Sequence, residues 1–445
     1  MELGQALLAV GAGERPASFD EFNAALDPAW IAAALEATGT ASVRRRKVPA
    51  DYVVWLVIAM ALFRDRAIAQ VAQQLELVLP AAAGRGTITP GALVQARTRL
   101  GPAPIAALFH DSAQRWSERA ARARCWQGLA VYAVDGTTLR LPDTPANDAV
   151  FGRPGTSRGG PAGYPQLRLV VLAALRSHVL AAAAFGAVAT SEPALATALW
   201  AALPEQSVVL LDRGFTSYAL FHALGDPRRE RHWVVRVRTG RGALQWRVHT
   251  ALGPGDALVD WRPQRVADPQ LPRTLRARAV QIERPGYPPC LLLTSLLDPV
   301  RYPAAALVAL YRERWEIETA FDEVKTHTLQ RAETLRSQDP ARVAQEVWGL
   351  LIAYNLVRVL MARAAPRAGV SPVRLSYWNA VLVLRGFWQS AWYLPPGTLP
   401  RHLDLLLDQI ASLVLPARRK RNYPRAVKLP QSAYPRKRPV QTPRA

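Results

Sequence analysis

The stretch LAVYAVDG, residues 129–136, decides the fold, because an apolar run of strand length stops at an aspartate followed by a glycine. The same arrangement returns in VVLLDRG at 208–214. Short continuous apolar runs fit strands buried on both faces, and two more occupy 167–175 and 179–189. A helical pattern over 192–203 precedes the run at 208–211. Strands followed by a helix and another strand predict an α/β chain, a sheet with helices packed on it. Asp135 and Asp212 are thereby expected at strand carboxyl ends, where open α/β sheets bind ligands. For either aspartate alone, a turn or helix-capping role is the ordinary reading. Finding the arrangement twice turns the balance toward function.

A third acid comes from YRERWEIETAFDEVK, residues 311–325. At about 100° per residue, with Tyr311 as zero, Arg314 falls near 300°, Glu318 near 340° and Lys325 near 320°. These four define a stripe about 21 Å long within an arc of about 60°. Leu310, Ile317, Phe321 and Val324 occupy the adjoining arc, the expected core-facing side. Glu313, Glu316 and Glu323 fall opposite, on the expected solvent face. Glu318 stands apart from them, bordering the apolar stripe between two cations. The competing reading is a helix stabilised by pairs such as Arg314 with Glu318, each worth about 0.2–0.5 kcal/mol. Asp322, near 20°, is the nearest alternative carboxylate.

Three such carboxylates suit a pair of hard divalent cations, because magnesium prefers oxygen ligands and keeps several waters. Two such ions can activate a water or a 3′-hydroxyl and stabilise the leaving oxygen in an in-line attack at phosphorus. Arg314, Lys325 and the phenol of Tyr311 are then expected to hold phosphate oxygens.

The composition points the same way. The chain has 445 residues, above the roughly 250–300 at which one core stops growing, so two or more domains are expected. Its 56 Lys plus Arg against 34 Asp plus Glu give a net charge of +22. That makes a polyanion the default partner, although an Arg-rich proteome produces a similar balance. Only Lys47, Lys325, Lys420, Lys428 and Lys437 are lysines, so a Lys inside a motif is worth noticing. Cys125 and Cys290 stand alone, without disulfide or zinc spacing, which fits a reducing compartment. No secretory signal is legible. The longest apolar run, 52–63, falls short of the roughly 20 residues a bilayer requires and reads as a core helix.

Outside the strands the texture changes three times. From 18 to 124 the pattern is helical, with Phe22, Leu26, Trp30, Ile31 and Leu35 at helix spacing and breaks at Pro49, Pro80, Pro90 and Pro102. A separate helical domain is expected there. Its segments 52–77 and 87–100, the latter with Arg97 and Arg99, suit a helix-turn-helix that reads DNA, or equally an ordinary bundle. From 215 to 299, alternation of Trp233, Val235 and Val237 with Arg236 and Arg238, among many Gly and Pro turns, predicts a β-rich insertion. Helices return over 303–384. After Leu415 follows an acid-free arm with Arg418, Arg419, Lys420, Arg421, Arg425, Lys428, Arg436, Lys437, Arg438 and Arg444, expected to be flexible.

Other chemistries find less support. The seven histidines are scattered without ligand or triad spacing. GRPGTSRGG at 152–160 lacks the Gly-Lys-Ser/Thr ending of a P-loop and reads as a mobile loop.

Tyr311, Arg314, Glu318 and Lys325 reproduce the Tyr, two residues, Arg, three residues, Glu, six residues, Lys signature of bacterial insertion-sequence transposases of the insertion-sequence-four branch. The chain resembles that DDE family also in VDGTTLRLPDTPAN at 134–147, LLDRGF at 210–215, QEVWGLLIAYNLVR at 345–358 and QARTRLG at 95–101. The likeness runs from about residue 18 to the tail. It implies a ribonuclease-H-like catalytic core with a β-rich insertion between the second Asp and the Glu, preceded by a helical N-terminal domain. It also implies that Asp135, Asp212 and Glu318 are catalytic and metal-binding, with Mg2+ or Mn2+ as two ions. Some relatives stack an aromatic on a displaced base while forming a hairpin end. Trp233, Trp246 and Trp261 are candidates for that role, against the usual use of tryptophan as core.

The expected layout is a helical, DNA-binding N-terminal domain at 1–125, the first part of the core at 126–214, the insertion at 215–300, a helical second part of the core at 301–395, and the basic tail at 396–445. The expected function is cleavage at element ends by hydrolysis and strand transfer of the 3′-hydroxyl into target DNA. Expected partners are the element's terminal inverted repeats, target DNA and a second copy in a synapsed homodimer, with no membrane. The expected location is bacterial cytoplasm, at the nucleoid. The alternatives are a metal-dependent nuclease without strand transfer, or an inactive element-derived DNA-binding protein.

Overall fold

The computed structural model describes residues 26–41, 48–78, 88–155, 160–238, 244–263, 268–282, 290–330, 334–390 and 399–417. Nine strands form one sheet in the order β3-β2-β1-β4-β5-β9-β8-β7-β6. They are β1 Ala130–Arg140, β2 Gln166–Ala174, β3 Val179–Ala187, β4 Ser207–Leu211, β5 Arg231–Val237, β6 Trp246–Gly253, β7 Asp256–Trp261, β8 Leu275–Ile282 and β9 Cys290–Thr294. Strands β1 to β3 pair antiparallel, whereas β4 lies parallel to β1 and β5 parallel to β4. This mixed α/β architecture fits the expected ribonuclease-H-like core.

The expected insertion boundary at 215 precedes the change in pairing. A short helix, Tyr218–Leu224, and the parallel strand β5 come first. Trp233 and Val235 of β5 face a core there and are not part of a separate β unit. From β6 to β9 every pairing is antiparallel, and these strands extend the same sheet because β9 pairs, also antiparallel, with β5. Alternation of apolar and basic residues is the same in a parallel and an antiparallel strand, so the sequence pattern could not separate β5 from its successors.

Helices cover the sheet. Before β1, the described residues form α1 Pro28–Ala37, α2 Ala50–Leu62, α3 Ile68–Val78, α4 Pro90–Leu100 and α5 Ala103–Arg122. After β9 come α6 Ala304–Arg312, α7 Glu316–Asp322, α8 Pro340–Ala364, α9 Tyr377–Ser390 and α10 Leu399–Ser412. The expected core helix at 52–63 is α2, buried at every position from Tyr52 to Leu62. A helix apolar all round needs neighbours on every side, and α8 supplies one of them. Gly349 of α8 lies so close to Val57 of α2 that an added Cβ would fall 2.5 Å from Val57 Cγ1.

The N-terminal helices therefore do not form the separately packed domain that the sequence suggested. One continuous core joins α1, α2, α4 and α5 with α8, α9, α10 and one face of the sheet through Leu129, Val131 and Ala133. Ala130, Tyr132 and Val134 face a second core on the other side. Helix α8 continues into the segment Pro340–Ala368, long and apolar enough to cross a membrane, but 83% of its apolar window is buried inside the protein. It is the central helix of the core.

Two further expectations meet the described residues only partly. The stretch expected as the start of the tail holds α10, whose Leu406, Leu407, Ile410 and Ala411 are buried. The basic residues from Arg418 onward lie outside the described residues, as do 156–159 of the expected mobile loop. The described start of that loop is anchored, because Arg153 pairs with Asp148 at 2.9 Å and with Asp143.

Candidate active site

Parallel pairing of β1 with β4 brings the two aspartates together. The last paired positions are Ala133 and Leu210, and Asp135 and Asp212 each follow two residues later. Asp212 follows the end of β4 and precedes a short 3-10 turn, Arg213–Phe215, without spending its carboxylate on a capping bond. Asp135, however, is not at a strand end. Strand β1 runs on to Arg140 against β2, with Asp135 opposite Val171 and Gly136 opposite Val170. The apolar run stops at Asp135 because a cleft begins there. Backbone pairing is indifferent to that change of side chain.

Gly136 is likewise not a turn glycine. An added Cβ would meet the Glu192 side chain, with Cδ at 2.4 Å and Cγ at 2.6 Å. Glu192 begins the helix Glu192–Ala196 and pairs with Arg168 of β2 at 2.8 Å. It is a fourth carboxylate beside Asp135 that no local sequence signal indicated.

Asp135 carries the electrostatic signature of the site. Burial pushes its carboxyl up to about 6, while the Gly136 N–H at 2.8 Å and Arg314 work against that rise and the charges of Glu192 and Asp212 add to it. Arg314 stands at its other side, with Nη1 3.4 Å from Asp135 Oδ2 and Nη2 3.1 Å from Glu318 Oε1. Burial acts against the guanidinium's charge, but Tyr311, Asp135, Asp212 and Glu318 outweigh it and raise Arg314 above its ordinary value. Two of the three expected acids thus share one fixed cation.

The helix bearing Glu318 is less regular than the angular reckoning assumed. Helix α6 tightens into a 3-10 turn at Glu313–Trp315, α7 follows, and Glu323–Thr328 is a π segment. The expected stripe survives in part. Asp135, Gly136, Thr137, Glu318, Phe321, Asp322, Lys325 and Thr326 line an open cleft of about 680 Å³. Lys325 Nζ lies 3.4 Å from Thr137 Oγ1. Asp322, the alternative acid, is exposed on the rim and accepts from Thr326 Oγ1 at 2.6 Å.

Tyr311 is turned to another task. Its phenol donates to the Leu211 carbonyl at 3.1 Å, immediately before Asp212, and burial pushes its pKa up to about 12. It ties the helix to the end of β4 and does not present its hydroxyl to the cleft. Arg236 of β5 approaches Asp212 at 3.9 Å, a neighbour the sequence reading did not pick.

The glutamates expected on a solvent face are engaged as well. Arg176 grips Glu313 with two bonds, at 2.7 and 2.9 Å. Glu316 faces His178 Nε2 at 3.1 Å, and Glu323 is buried against Arg358. An angular projection treats one helix in isolation; here the turn between β2 and β3, together with α8, covers the face opposite the core stripe. Among the tryptophans, Trp233 is fully buried and stacked on Phe221 at 4.1 Å, and Trp261 is core as well. Trp246 lies on β6 and lines a separate shallow groove with Arg247, His249 and Arg262.

Among the described residues, no three acidic, histidine or cysteine side chains converge closely enough to hold a metal ion. The donor chemistry nevertheless fits a hard divalent cation. Oxygen donors from Asp135 and Glu318 already meet around a positive group, and Asp212 adds negative charge beside them.

Comparison with known proteins extends this picture to the whole chain. Residues 16–110 match the family model described as "Insertion element 4 transposase N-terminal", and 126–356 match "Transposase DDE domain". The chain is 38% identical over 415 residues to the transposase InsG for insertion sequence element IS4 of Escherichia coli (strain K12), covering 92% of each. It is 32% identical over 279 residues to the putative transposase InsZ of the same strain, across 61% of this chain and 91% of that one. Among solved structures, a piggyBac transposase synaptic complex with hairpin DNA aligns at 12% identity and a TM-score of 0.43, over 89% of this chain and 83% of that one.

Proposed function

The chain belongs to the DDE transposase family of insertion element 4, and from that premise we propose that Asp135, Asp212 and Glu318 are the carboxylates that carry its chemistry. It is an insertion-sequence transposase, an enzyme of DNA transposition, and its DDE domain implies dependence on a divalent metal. The finer reading is cleavage at the element's terminal inverted repeats by hydrolysis, then transfer of the freed 3′-hydroxyl into target DNA. Two ions, Mg2+ or Mn2+, would supply activation of the attacking oxygen and stabilisation of the leaving one.

The single observation that carries the assignment is the placement of Arg314 between Asp135 and Glu318. It brings the acid of β1 and the acid of the helix to one cation, with Asp212 just past the end of the neighbouring parallel strand. Asp135, Asp212 and Glu318 offer the oxygens that would hold the ions. Lys325 lines the cleft and Arg314 pairs with two of the acids that do; both would take phosphate oxygens of the scissile strand. Tyr311 acts one step removed, holding the backbone before Asp212. Strands β6 to β9 would be the family's insertion, the N-terminal helices and the basic tail would bind DNA, and two copies would bridge two element ends in the bacterial cytoplasm, at the nucleoid.

The test is magnesium- or manganese-dependent cleavage of DNA carrying the element's own ends, by purified Asp135→Asn, Asp212→Asn and Glu318→Gln. Each is expected to lose cleavage while keeping end binding. Normal cleavage by any one removes that residue from the site. A strand-transfer assay on the unaltered protein separates a transposase that joins ends from a nuclease that only cuts.

A further inference from the structure

The helix that presents Glu318 reaches Lys325 through a π segment, Glu323–Thr328. The Leu329 amide donates to the Val324 carbonyl at 3.0 Å, and Thr328 Oγ1 donates to the Glu323 carbonyl at 3.1 Å, each five residues back. Such turns are rare and occur often at functional sites. A wider turn advances each residue by less than the α-helical angle of about 100°, so the direction of Lys325 relative to Glu318 depends on whether this segment is π or α.

One buried network grips the segment at both ends. Arg358 of α8 donates from Nε to Glu323 Oε2 at 2.9 Å and from Nη2 to Oε1. Tyr354 donates to Oε2 at 2.8 Å, and His178 Nδ1 lies 3.4 Å away, from the turn between β2 and β3. The Arg358 guanidinium lies over the Tyr377 ring at 5.4 Å, and the Tyr377 hydroxyl is 2.7 Å from Thr328 Oγ1. Glu323 is thus held at the start of the segment and Thr328 at its end. Between them Lys325 points into the cleft, beside Thr137.

Stability alone is a poor reason for this arrangement. Taking two charges out of water offsets most of their attraction, and apolar replacements of similar volume are often neutral or stabilising. What a buried pair tied by several bonds adds is a single conformation. We propose that the Glu323–Arg358 pair is a positioning device for Lys325, fixing the π segment so that the ammonium is held in the cleft where it meets a DNA phosphate. Glu323 and Arg358 touch neither substrate nor metal in this account; they act through Lys325. The inference rests on the reading of Lys325 as a phosphate contact.

The test uses the full-length protein and DNA carrying the element's ends, with cleavage rate and the salt dependence of binding as readouts. Lys325→Ala is expected to make the plot of log affinity against log salt shallower by about 0.9, the share of one phosphate contact. Glu323→Gln alone would leave Arg358 without a counter-charge and risks unfolding the chain. The informative variant is therefore Glu323→Met with Arg358→Met. It is expected to melt cooperatively, to lose the same share of salt dependence, and to cleave about tenfold or more slowly, the scale on which misplaced groups cost rate. Adding Lys325→Ala to it should change the salt slope no further.

A double variant with wild-type slope and cleavage, or a full additional loss on adding Lys325→Ala, overturns the proposal. If Lys325→Ala by itself changes neither readout, the phosphate reading of Lys325 fails and the positioning role falls with it. If the double variant does not melt cooperatively, Arg358→Lys decides, since it keeps the charge and gives up the planar fork. A shallower slope insensitive to Lys325→Ala supports the proposal, and wild-type behaviour overturns it.

Discussion

Arg97 and Gln345 hold each other reciprocally: Arg97 Nε donates to Gln345 Oε1 at 3.2 Å, and Gln345 Nε2 donates back to the Arg97 carbonyl at 2.6 Å. The same guanidinium reaches Ser337 Oγ and the Arg342 carbonyl, both at 3.1 Å. Beside it Arg64 pairs with Glu346 at 2.5 Å, and Glu346 also accepts from the amides of Arg336 and Ser337. Buried polar bonds thus fasten α4 and the end of α2 to α8 and to the loop before it.

Arg97→Ala should therefore act on stability. Losing the bonds of a buried charge and leaving Gln345 Oε1 without its donor is expected to cost about 2–4 kcal/mol. Arg99, exposed on the same helix, is free of that role, and Arg99→Ala should change stability by less than about 0.5 kcal/mol. Denaturant unfolding of both variants checks this. A stable Arg97→Ala that binds DNA weakly would put Arg97 back on the nucleic-acid face.

Tyr311→Phe removes the bond to the Leu211 carbonyl and nothing in the cleft. A stability loss of about 1 kcal/mol is expected, with slower cleavage as the backbone before Asp212 loosens. The salt slope of end binding should stay at the wild-type value. A shallower slope in this variant would show that the phenol contacts phosphate after all.

Gly349→Ala tests how closely α8 and α2 pack. The new methyl would stand 2.5 Å from Val57 Cγ1 and 2.9 Å from the Val57 carbonyl oxygen. Overpacking of this kind typically costs about 1–3 kcal/mol. Val57→Ala in the same chain should recover only part of the loss, because the carbonyl remains. Full recovery in thermal melts would mean that the side chain alone sets the distance.

Acid should release the Glu323 network. Burial favours the neutral acid, but Arg358 and His178 outweigh it and hold the folded carboxyl near a pKa of about 2, against an ordinary 4.5. A depressed carboxylate contributes stability that is present above its unfolded pKa and lost as pH falls through the folded one. The contribution should thus be complete above about pH 4.5 and fall away as pH drops toward about 2. Groups facing Glu323 are Arg358 and Tyr354 of α8 and His178 of the strand turn, with Glu316 on the far side of His178. Unfolding free energies measured across that window for the unaltered chain and for Glu323→Met with Arg358→Met should diverge. Parallel curves would show that Glu323 does not carry the acid sensitivity.

The α/β class was legible in the chain itself, and so were the patterns that single out Asp135, Asp212 and Glu318 as candidates; the physical reason is local. Apolar runs of strand length, as at 129–134 and 208–211, require burial wherever they lie. The spacing of Tyr311, Arg314, Glu318 and Lys325 requires no partner to be read. What tertiary structure decided was the surroundings of those residues. Asp135 proved to be in the middle of a strand because β2 continues the pairing beyond β4, and Tyr311 faces Leu211 because β4 ends beneath it. Glu323 is buried and Glu316 half-buried because α8 and the turn after β2 close over that face. Asp135 and Asp212 stand out in the sequence because each ends an apolar run, and Glu318 because it shares one helical stripe with Tyr311, Arg314 and Lys325. Arg314's bridge, Glu192's approach to Asp135 and the burial of Arg97 depend on residues tens to hundreds of positions apart, and only packing brings those together.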